Sequence, residues 1–162
     1  MAGGKLTLYR LMAERTADAV CARLGVQARC TTAARPLPGA GGVAPPVREL
    51  AAEHRITALA AARLVQRHGS EAPEVLQDAR RGRLACRCEA VTEAELVHAV
   101  RHEQVRTLAD AFRRLGIAAG PCAGAVCAER AAEVIGHELG WTPGQRREAF
   151  REYQAGAWRG RA

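Results

Sequence analysis

Hydrophobic positions recur at helical spacing along most of the chain. The segment from Leu6 to Leu24 carries apolar residues three or four apart, and Gly25 follows it as a residue typical of a helix C-terminus. Residues 47–53 and the stretch from Ile56 to Leu64 predict two more helices, and a short helix opens at Ser70. We therefore expect a mainly α protein.

The second half of the chain continues the helical pattern. Residues 108–115 follow the i, i+3, i+4, i+7 pattern of a buried stripe. Residues 92–95 have the form of a capping box that starts a helix, and residues 142–145 combine an N-cap threonine, an N1 proline and an N3 glutamine. The pattern also predicts a helix from Ala123 to Leu139 and a last helix that extends to about Trp158.

The composition supports helices that pack through small side chains. Of the 162 residues, 48% are hydrophobic and only 4% are aromatic, which favours close-packed helices over sheets. No apolar run approaches the roughly 20 residues of a membrane span, and no basic start followed by an apolar stretch marks a signal peptide. We therefore expect a cytoplasmic protein whose thiols stay reduced.

The basic charge does not by itself predict nucleic-acid binding. The net charge is +7, and Lys5 is the only lysine among 24 basic residues. The arginines are scattered over every helix, with no long run and little aromatic interleaving, whereas nucleic-acid-binding domains concentrate basic residues on one face. We interpret the charge as a solvated, arginine-rich surface that an anionic cluster or an acidic partner would partly offset.

Two closely spaced cysteine pairs suggest the chemistry. Cys86 and Cys88 form a C-x-C pair, and Cys122 and Cys127 follow after 33 intervening residues. Four thiolates suit an iron–sulfur cluster or a zinc ion. Structural zinc sites usually use C-x2-4-C spacing, so the tighter C-x-C pair favours one iron of a two-iron cluster. Four unrelated buried thiols and a disulfide are the weaker alternatives.

The other candidate ligands are interpreted as structural. Cys21 and Cys30 lack a paired spacing. His98 and His102 are four residues apart, which is a metal-ligand spacing, but they project from the side of the helix opposite to its apolar residues. We therefore expect neither histidine to bind metal.

Two stretches of the sequence resemble one known family. Residues 85–96 (ACRCEAVTEAEL) and 120–127 (GPCAGAVC) are similar to the BFD-like [2Fe-2S]-binding domain at the C-terminus of anaerobic-type, FAD-dependent glycerol-3-phosphate dehydrogenases. Residues 3–14 (GGKLTLYRLMAE) independently resemble the GGK-x-T-x-YR-x-MAE segment of the same dehydrogenases, and residues 31–39 are similar to the stretch that follows it. The two ends match different parts of one protein in the correct order.

The resemblance implies a division of the chain into five segments. These are the C-terminal helix of a flavin domain (1–34), a Pro/Gly linker (35–46), a helical cap region (47–83), a BFD-like [2Fe-2S]-binding domain (84–140) and a C-terminal helix (141–162).

The resemblance also implies a function and its residues. It implies oxidation of glycerol 3-phosphate to dihydroxyacetone phosphate by FAD, with electrons relayed through a [2Fe-2S] cluster to partner subunits, then to the quinone pool. The implied cluster ligands are Cys86, Cys88, Cys122 and Cys127. The implied flavin-proximal residues are Gly3, Gly4, Lys5 and Thr7, with Lys5 also catalytic.

The same resemblance implies the partners and the location. We expect a flavin-binding domain or subunit, together with electron-accepting subunits, as partners. We expect no nucleic acid and no direct membrane span. A cytoplasmic protein, or one peripheral at the inner membrane face through partner subunits, would follow.

No strand–GxGxxG–helix unit is present, so most of an FAD-binding domain is not encoded in this chain. We therefore expect a fragment or a separate C-terminal part that is inactive in isolation. Two alternatives remain: a stand-alone BFD-like [2Fe-2S] electron-transfer or docking module, and a zinc-stabilised basic nucleic-acid-binding module.

Overall fold

The computed structural model describes residues 5–77 and 82–159. Gly3 and Gly4 lie outside the described residues, as do residues 78–81 of the predicted helical cap region. The elements, in chain order, are α1 (Tyr9–Leu24), α2 (Val47–His54), α3 (Ala58–His68), α4 (Ala72–Val75), β1 (Leu84–Cys86), β2 (Val91–Thr92), α5 (Glu93–His102), α6 (Leu108–Leu115), α7 (Cys127–Glu138) and α8 (Pro143–Arg159). The prediction of a mainly α fold is confirmed.

Residues 1–37 form one compact unit by themselves. A 3-10 turn, Leu6–Leu8, leads into α1, and Gly25 ends the helix in the left-handed conformation at a φ of +68°. This confirms the helix and the terminating glycine that the sequence predicts. No residue of α1 is buried, and Leu11 is exposed. The predicted apolar face is therefore not buried within this unit.

Residues 38–162 form the second compact unit, which contains two hydrophobic cores. The first core joins α2, α3 and α4 and extends to Ala90 and Ala94, at the end of the β1–β2 turn and in α5. A close backbone contact fixes the start of this unit: Ser70 N–H donates to the Gly39 carbonyl at 3.0 Å. A Cβ at Gly39 would overlap the His68 carbonyl, so only glycine fits there.

The second core is built by the later elements. Helices α5, α6 and α7 supply most of the second core, and β1 also contributes to it. Trp141 and Tyr153 are partly buried and pack against this core. Leu96, Leu115 and Ile135 are fully buried at its centre. Phe112, expected in the buried stripe of α6, is 42% exposed.

Two helix starts differ from the predicted pattern. The helix predicted from Ala123 begins only at Cys127, because Ala123 and Gly124 adopt positive φ values of 47° and 88°. At the start of α5, the Thr92 hydroxyl accepts from the Glu95 N–H at 3.0 Å as predicted. The Glu95 side chain turns away to Arg63, so only half of the predicted capping box forms. The box at residues 142–145 is complete.

Two buried glutamates join the helices of the second unit. Glu93 receives Nε and Nη2 of Arg130 at 2.8 and 2.7 Å on one carboxylate oxygen, which connects α5 to α7. Glu95, whose side chain is fully buried, pairs with Arg63 at 3.3 Å and connects α5 to α3. Nothing in the hydrophobic pattern indicated that these acidic residues are internal.

None of the helices in the described part of the chain is both long enough and apolar enough to cross a membrane.

Loss of the Arg130 guanidinium should destabilise the second unit. Arg130→Met removes the guanidinium that lies 2.7 Å from the buried Glu93 carboxylate. The remaining partner, Arg83, is farther away, at 3.3 Å, and more exposed. We expect the free energy of unfolding to fall by about 3 kcal/mol, because a buried charge loses its main partner. Urea denaturation followed by circular dichroism measures this. The control is Arg151→Met, whose partner Glu148 is exposed, and which should cost less than about 0.5 kcal/mol. Equal losses in the two variants would contradict this account.

Candidate metal centre

The first cysteine pair lies on the short hairpin. Cys86 is the last residue of β1 and is buried, whereas Cys88 lies in the turn and is exposed. The hairpin register is irregular, since Cys86 pairs with Val91 while Leu84 pairs with Thr92. Ala90 completes the turn at a φ of 51°. The short turn therefore brings Cys88 beside Cys86 at the end of the strand.

The second pair encloses a loop at the start of α7. Cys127 is the first residue of that helix. The predicted helix from Ala123 had placed Cys122 at the helix start instead, and the later start puts Cys127 there. The backbone N–H groups of Gly124 and Val126 donate to the Cys122 sulfur and lower the pKa of this thiol to about 7. Backbone donors that converge on sulfur also favour an anionic centre.

The four thiols converge on one place. The Cys122 thiol interacts with the thiols of Cys88 and Cys127, and the Cys127 thiol interacts with that of Cys86. Burial, followed by the Cys86 thiol, raises the pKa of Cys127 to about 12. Each pair therefore contacts the other, and the Cys127 thiol holds its proton tightly in the absence of a cation.

A close approach between the two loops makes this convergence possible. A Cβ built on Gly120 would overlap the Cβ of Cys88, and it would lie 3.0 Å from Glu89 Oε1 and 3.4 Å from Cys88 Sγ. The backbone before Cys122 thus packs directly against the Cys88 side chain. In the sequence Gly120 stands only as part of the GPCAGAVC motif, and nothing local identifies its approach to Cys88, which is 32 residues away.

The loop of the second pair is covered by α8. A Cβ at Gly124 would lie 2.7 Å from Cε1 and 2.9 Å from the hydroxyl oxygen of Tyr153. The phenol ring therefore rests on the loop between Cys122 and Cys127 and limits its exposure to water. Nothing in the sequence pattern identified Tyr153 as part of the site.

The residues predicted to lie near a flavin are distant from the cysteines in sequence and belong to the first unit. Lys5 precedes the 3-10 turn and Thr7 lies within it, and both are exposed. Cys21 and Cys30 also lie in this unit, where Cys30 Sγ contacts the Thr32 hydroxyl at 3.1 Å. The assignments of Lys5 and Thr7, and of Gly3 and Gly4 outside the described residues, remain predictions.

Most of the chain matches one known protein family. Residues 30–146 match the family described as the C-terminal domain of alpha-glycerophosphate oxidase. The chain belongs to this family. The match includes all four cysteines of the candidate metal centre.

Individual relatives in this group are dehydrogenase subunits. The chain is 38% identical over 159 residues to one subunit of the anaerobic glycerol-3-phosphate dehydrogenase of Haemophilus influenzae. It is 40% identical over 161 residues to the subunit of the same name from Escherichia coli. Each alignment covers 98% of this chain, but the chain spans only 28% and 29% of those relatives. The predicted resemblance is confirmed. No solved structure matches the chain significantly.

A methyl group at Gly120 should separate the loops of this family member. We expect Gly120→Ala to lower the free energy of unfolding by about 1–3 kcal/mol, because the added Cβ overlaps Cys88. It should also reduce the metal content measured by elemental analysis. Gly156→Ala is the matched control in α8, where no atom lies within 4 Å of the added Cβ. It should stabilise the helix by about 0.5–1 kcal/mol. Unchanged stability and metal content in Gly120→Ala would refute the close approach.

The thiols of the metal-free chain should differ in reactivity. The thiolate is the nucleophile, so Cys122, with a pKa of about 7, should be alkylated readily at neutral pH, and its rate should rise with pH across that value. Cys127, with a pKa of about 12, should remain protected. Timed iodoacetamide labelling followed by peptide mass spectrometry measures both rates in one sample. Equal labelling of the two residues at pH 7 would contradict the hydrogen-bond pattern.

Proposed function

We propose that this chain is the cluster-binding C-terminal part of an FAD-dependent glycerol-3-phosphate dehydrogenase. The convergence of Cys86, Cys88, Cys122 and Cys127 carries this proposal. The four thiolates would hold a [2Fe-2S] cluster, which when bound supplies one-electron transfer between the flavin and an electron acceptor. The family match and the names of the relatives support the substrate.

The arrangement of the sulfurs supports a two-iron centre over a single zinc ion. Among the described residues, no three of the four cysteine sulfurs lie within 4.8 Å of one another. The three ligand atoms that do lie that close belong to two histidines and a glutamate. Sulfurs at about 2.3 Å from one zinc ion would all lie roughly 3.8 Å apart. The more open set of thiols suits a cluster in which each iron takes two of them.

The chain's own residues prepare the site for a centre of net negative charge. The N–H groups of Gly124 and Val126 stabilise charge on the Cys122 sulfur, and α7 begins at Cys127, so its N-terminus lies at the site. Tyr153 packs on Gly124 and shields this part of the loop from water. Solvent exclusion and hydrogen bonds to sulfur are protein features that set a cluster's reduction potential.

The first unit supports the flavin part of the proposal. Helix α1 buries none of its residues, and Leu6 and Tyr9 are 89% and 70% exposed. Exposed apolar and aromatic side chains on a helix suit a segment that packs on a larger domain. In the complete protein, Lys5 would place a positive charge near the anionic substrate, and Gly3, Gly4 and Thr7 would approach the flavin.

The partners and location form part of the same proposal. The relatives are each named as one subunit of a dehydrogenase, which implies further subunits in those proteins. We infer that this chain works beside a flavin-binding domain and passes electrons to accepting subunits that lead to the quinone pool. These would hold it at the cytoplasmic face of the inner membrane.

Single serine substitutions test the ligand assignment. Serine at Cys86, Cys88, Cys122 or Cys127 should bleach the visible absorption of the anaerobically purified chain and lower its iron content, because each thiolate holds part of the cluster. The matched controls are Cys21→Ser and Cys30→Ser in the first unit. Both variants should keep the visible absorption and the iron content. The assignment fails if Cys21 or Cys30 proves necessary for iron and Cys86 does not.

The division of labour between the two units predicts distinct kinetic defects. The isolated chain should neither retain FAD nor oxidise glycerol 3-phosphate with an artificial acceptor. In a protein that also contains the flavin domain, Lys5→Ala should slow flavin reduction by about 100-fold, since it removes a charge from the substrate site. Cys122→Ser should spare flavin reduction and slow delivery to the natural acceptor.

Rapid-mixing absorbance of the flavin, compared with steady-state turnover, separates these defects. Slow flavin reduction with normal onward transfer in Cys122→Ser would contradict the relay role. Tight FAD binding by the isolated chain would contradict the assignment of the flavin site to a separate domain.

A further inference from the structure

A second group of ligand-type side chains lies where α3 meets α5, away from the cysteines in sequence. His68 is the last residue of α3, His98 lies on α5, and Glu103 is the residue that ends α5. One ligand atom from each of these three side chains lies within 4.8 Å of the other two. The rings of His68 and His98 meet edge to face, with centroids 5.7 Å apart.

His68 provides the observation that distinguishes this group from a chance cluster. The residue is only 9% exposed, and its Nε2 atom is buried with no hydrogen-bond partner among the described residues. The nearest carboxylate oxygen, Oε1 of Glu95, is 3.8 Å from Nε2, which is beyond hydrogen-bond distance. Because buried polar atoms in native proteins are almost always satisfied, this nitrogen indicates a missing partner.

The charges around the group permit a cation. The Glu103 carboxylate receives Nη2 of Arg67 at 2.6 Å on one oxygen. The same arginine lies 3.4 Å from Glu95, which also pairs with Arg63 at 3.3 Å. Two carboxylates therefore face two guanidinium groups, so these four side chains carry no net positive charge that would oppose a cation. Arg67 also orients Glu103, as hydrogen-bonded neighbours of metal-binding carboxylates commonly do.

The ligand types and their spacing identify the class of ion. Two imidazoles and one carboxylate suit first-row divalent transition metals such as zinc. Around a zinc ion these atoms would be roughly 3.4 Å apart, so side-chain rotations that move them by about 1 Å close the site. The ring of His102 lies against that of His98, with centroids 4.6 Å apart and ring planes inclined at 40°, and His102 is exposed to solvent.

We propose that His68, His98 and Glu103 form a divalent transition-metal site that clamps α3 to α5. The ion would satisfy the buried nitrogen of His68 and would join the first hydrophobic core to the second. This site is independent of the four cysteines and uses nitrogen and oxygen ligands only. It reverses the sequence-based interpretation of His98, because His68 and Glu103 approach that residue only in the folded chain.

Zinc binding tests the site. Zn²⁺ is titrated into the anaerobically purified chain, after dialysis to remove loosely bound metal, and binding is followed by calorimetry and elemental analysis. We expect the unaltered chain to bind one zinc ion. In His98→Ala and in Glu103→Gln this zinc should be lost or bound at least about 10-fold more weakly. Both residues are only half-buried, and circular dichroism checks that the variants fold.

Two controls identify where the zinc binds. His137→Ala removes an exposed histidine elsewhere on the surface, and Cys122→Ser removes a thiol of the other centre. Both variants should retain the zinc equivalent. Zinc should also raise the melting temperature of the unaltered chain but not that of His98→Ala. The proposal is overturned if the unaltered chain binds no zinc that depends on His98 and Glu103, or if the only zinc bound disappears in Cys122→Ser.

Discussion

The convergence of four thiols is the constraint on which the second unit depends. Thiolates repel one another, and burial adds to that cost, so the four cannot all ionise at close range without a cation. The opposite pKa shifts of Cys122 and Cys127 express this directly, since one thiol is stabilised as an anion by backbone N–H groups and the other holds its proton. A bound metal centre would remove the conflict and hold the two loops together.

Closely packed helices with small side chains position those two loops. Alanines such as Ala99, Ala111 and Ala131 are fully buried and let the helices of the second core approach closely. The buried pairs of Glu93 with Arg130 and of Glu95 with Arg63 fix α5 between α7 and α3. Since α5 follows the hairpin directly, its position also sets the position of Cys86 and Cys88. The packing of the helices therefore also determines where the thiols lie.

Local sequence patterns predicted what depends on local physics. Gly25 ends α1, and the complete capping box at residues 142–145 begins α8, because both features act within one turn of helix. The cysteine spacing indicated the candidate ligands because the two members of each pair are close in sequence. The late start of α7 escaped prediction, because Ala123 adopts a left-handed conformation that alanine rarely adopts. The burial of Glu95 and the approach of His68 to His98 were also hidden, since they depend on residues far apart in the sequence.

The metal centre itself is the central claim, and Mössbauer spectroscopy of the anaerobically purified, iron-57-enriched chain tests it most directly. The account predicts two irons and two sulfides per chain, with a diamagnetic oxidised state from two coupled ferric ions. One-electron reduction should then produce a paramagnetic signal from one ferric and one ferrous ion. A single mononuclear iron, or stoichiometric zinc without iron in a chain whose four thiols are all engaged, would contradict it.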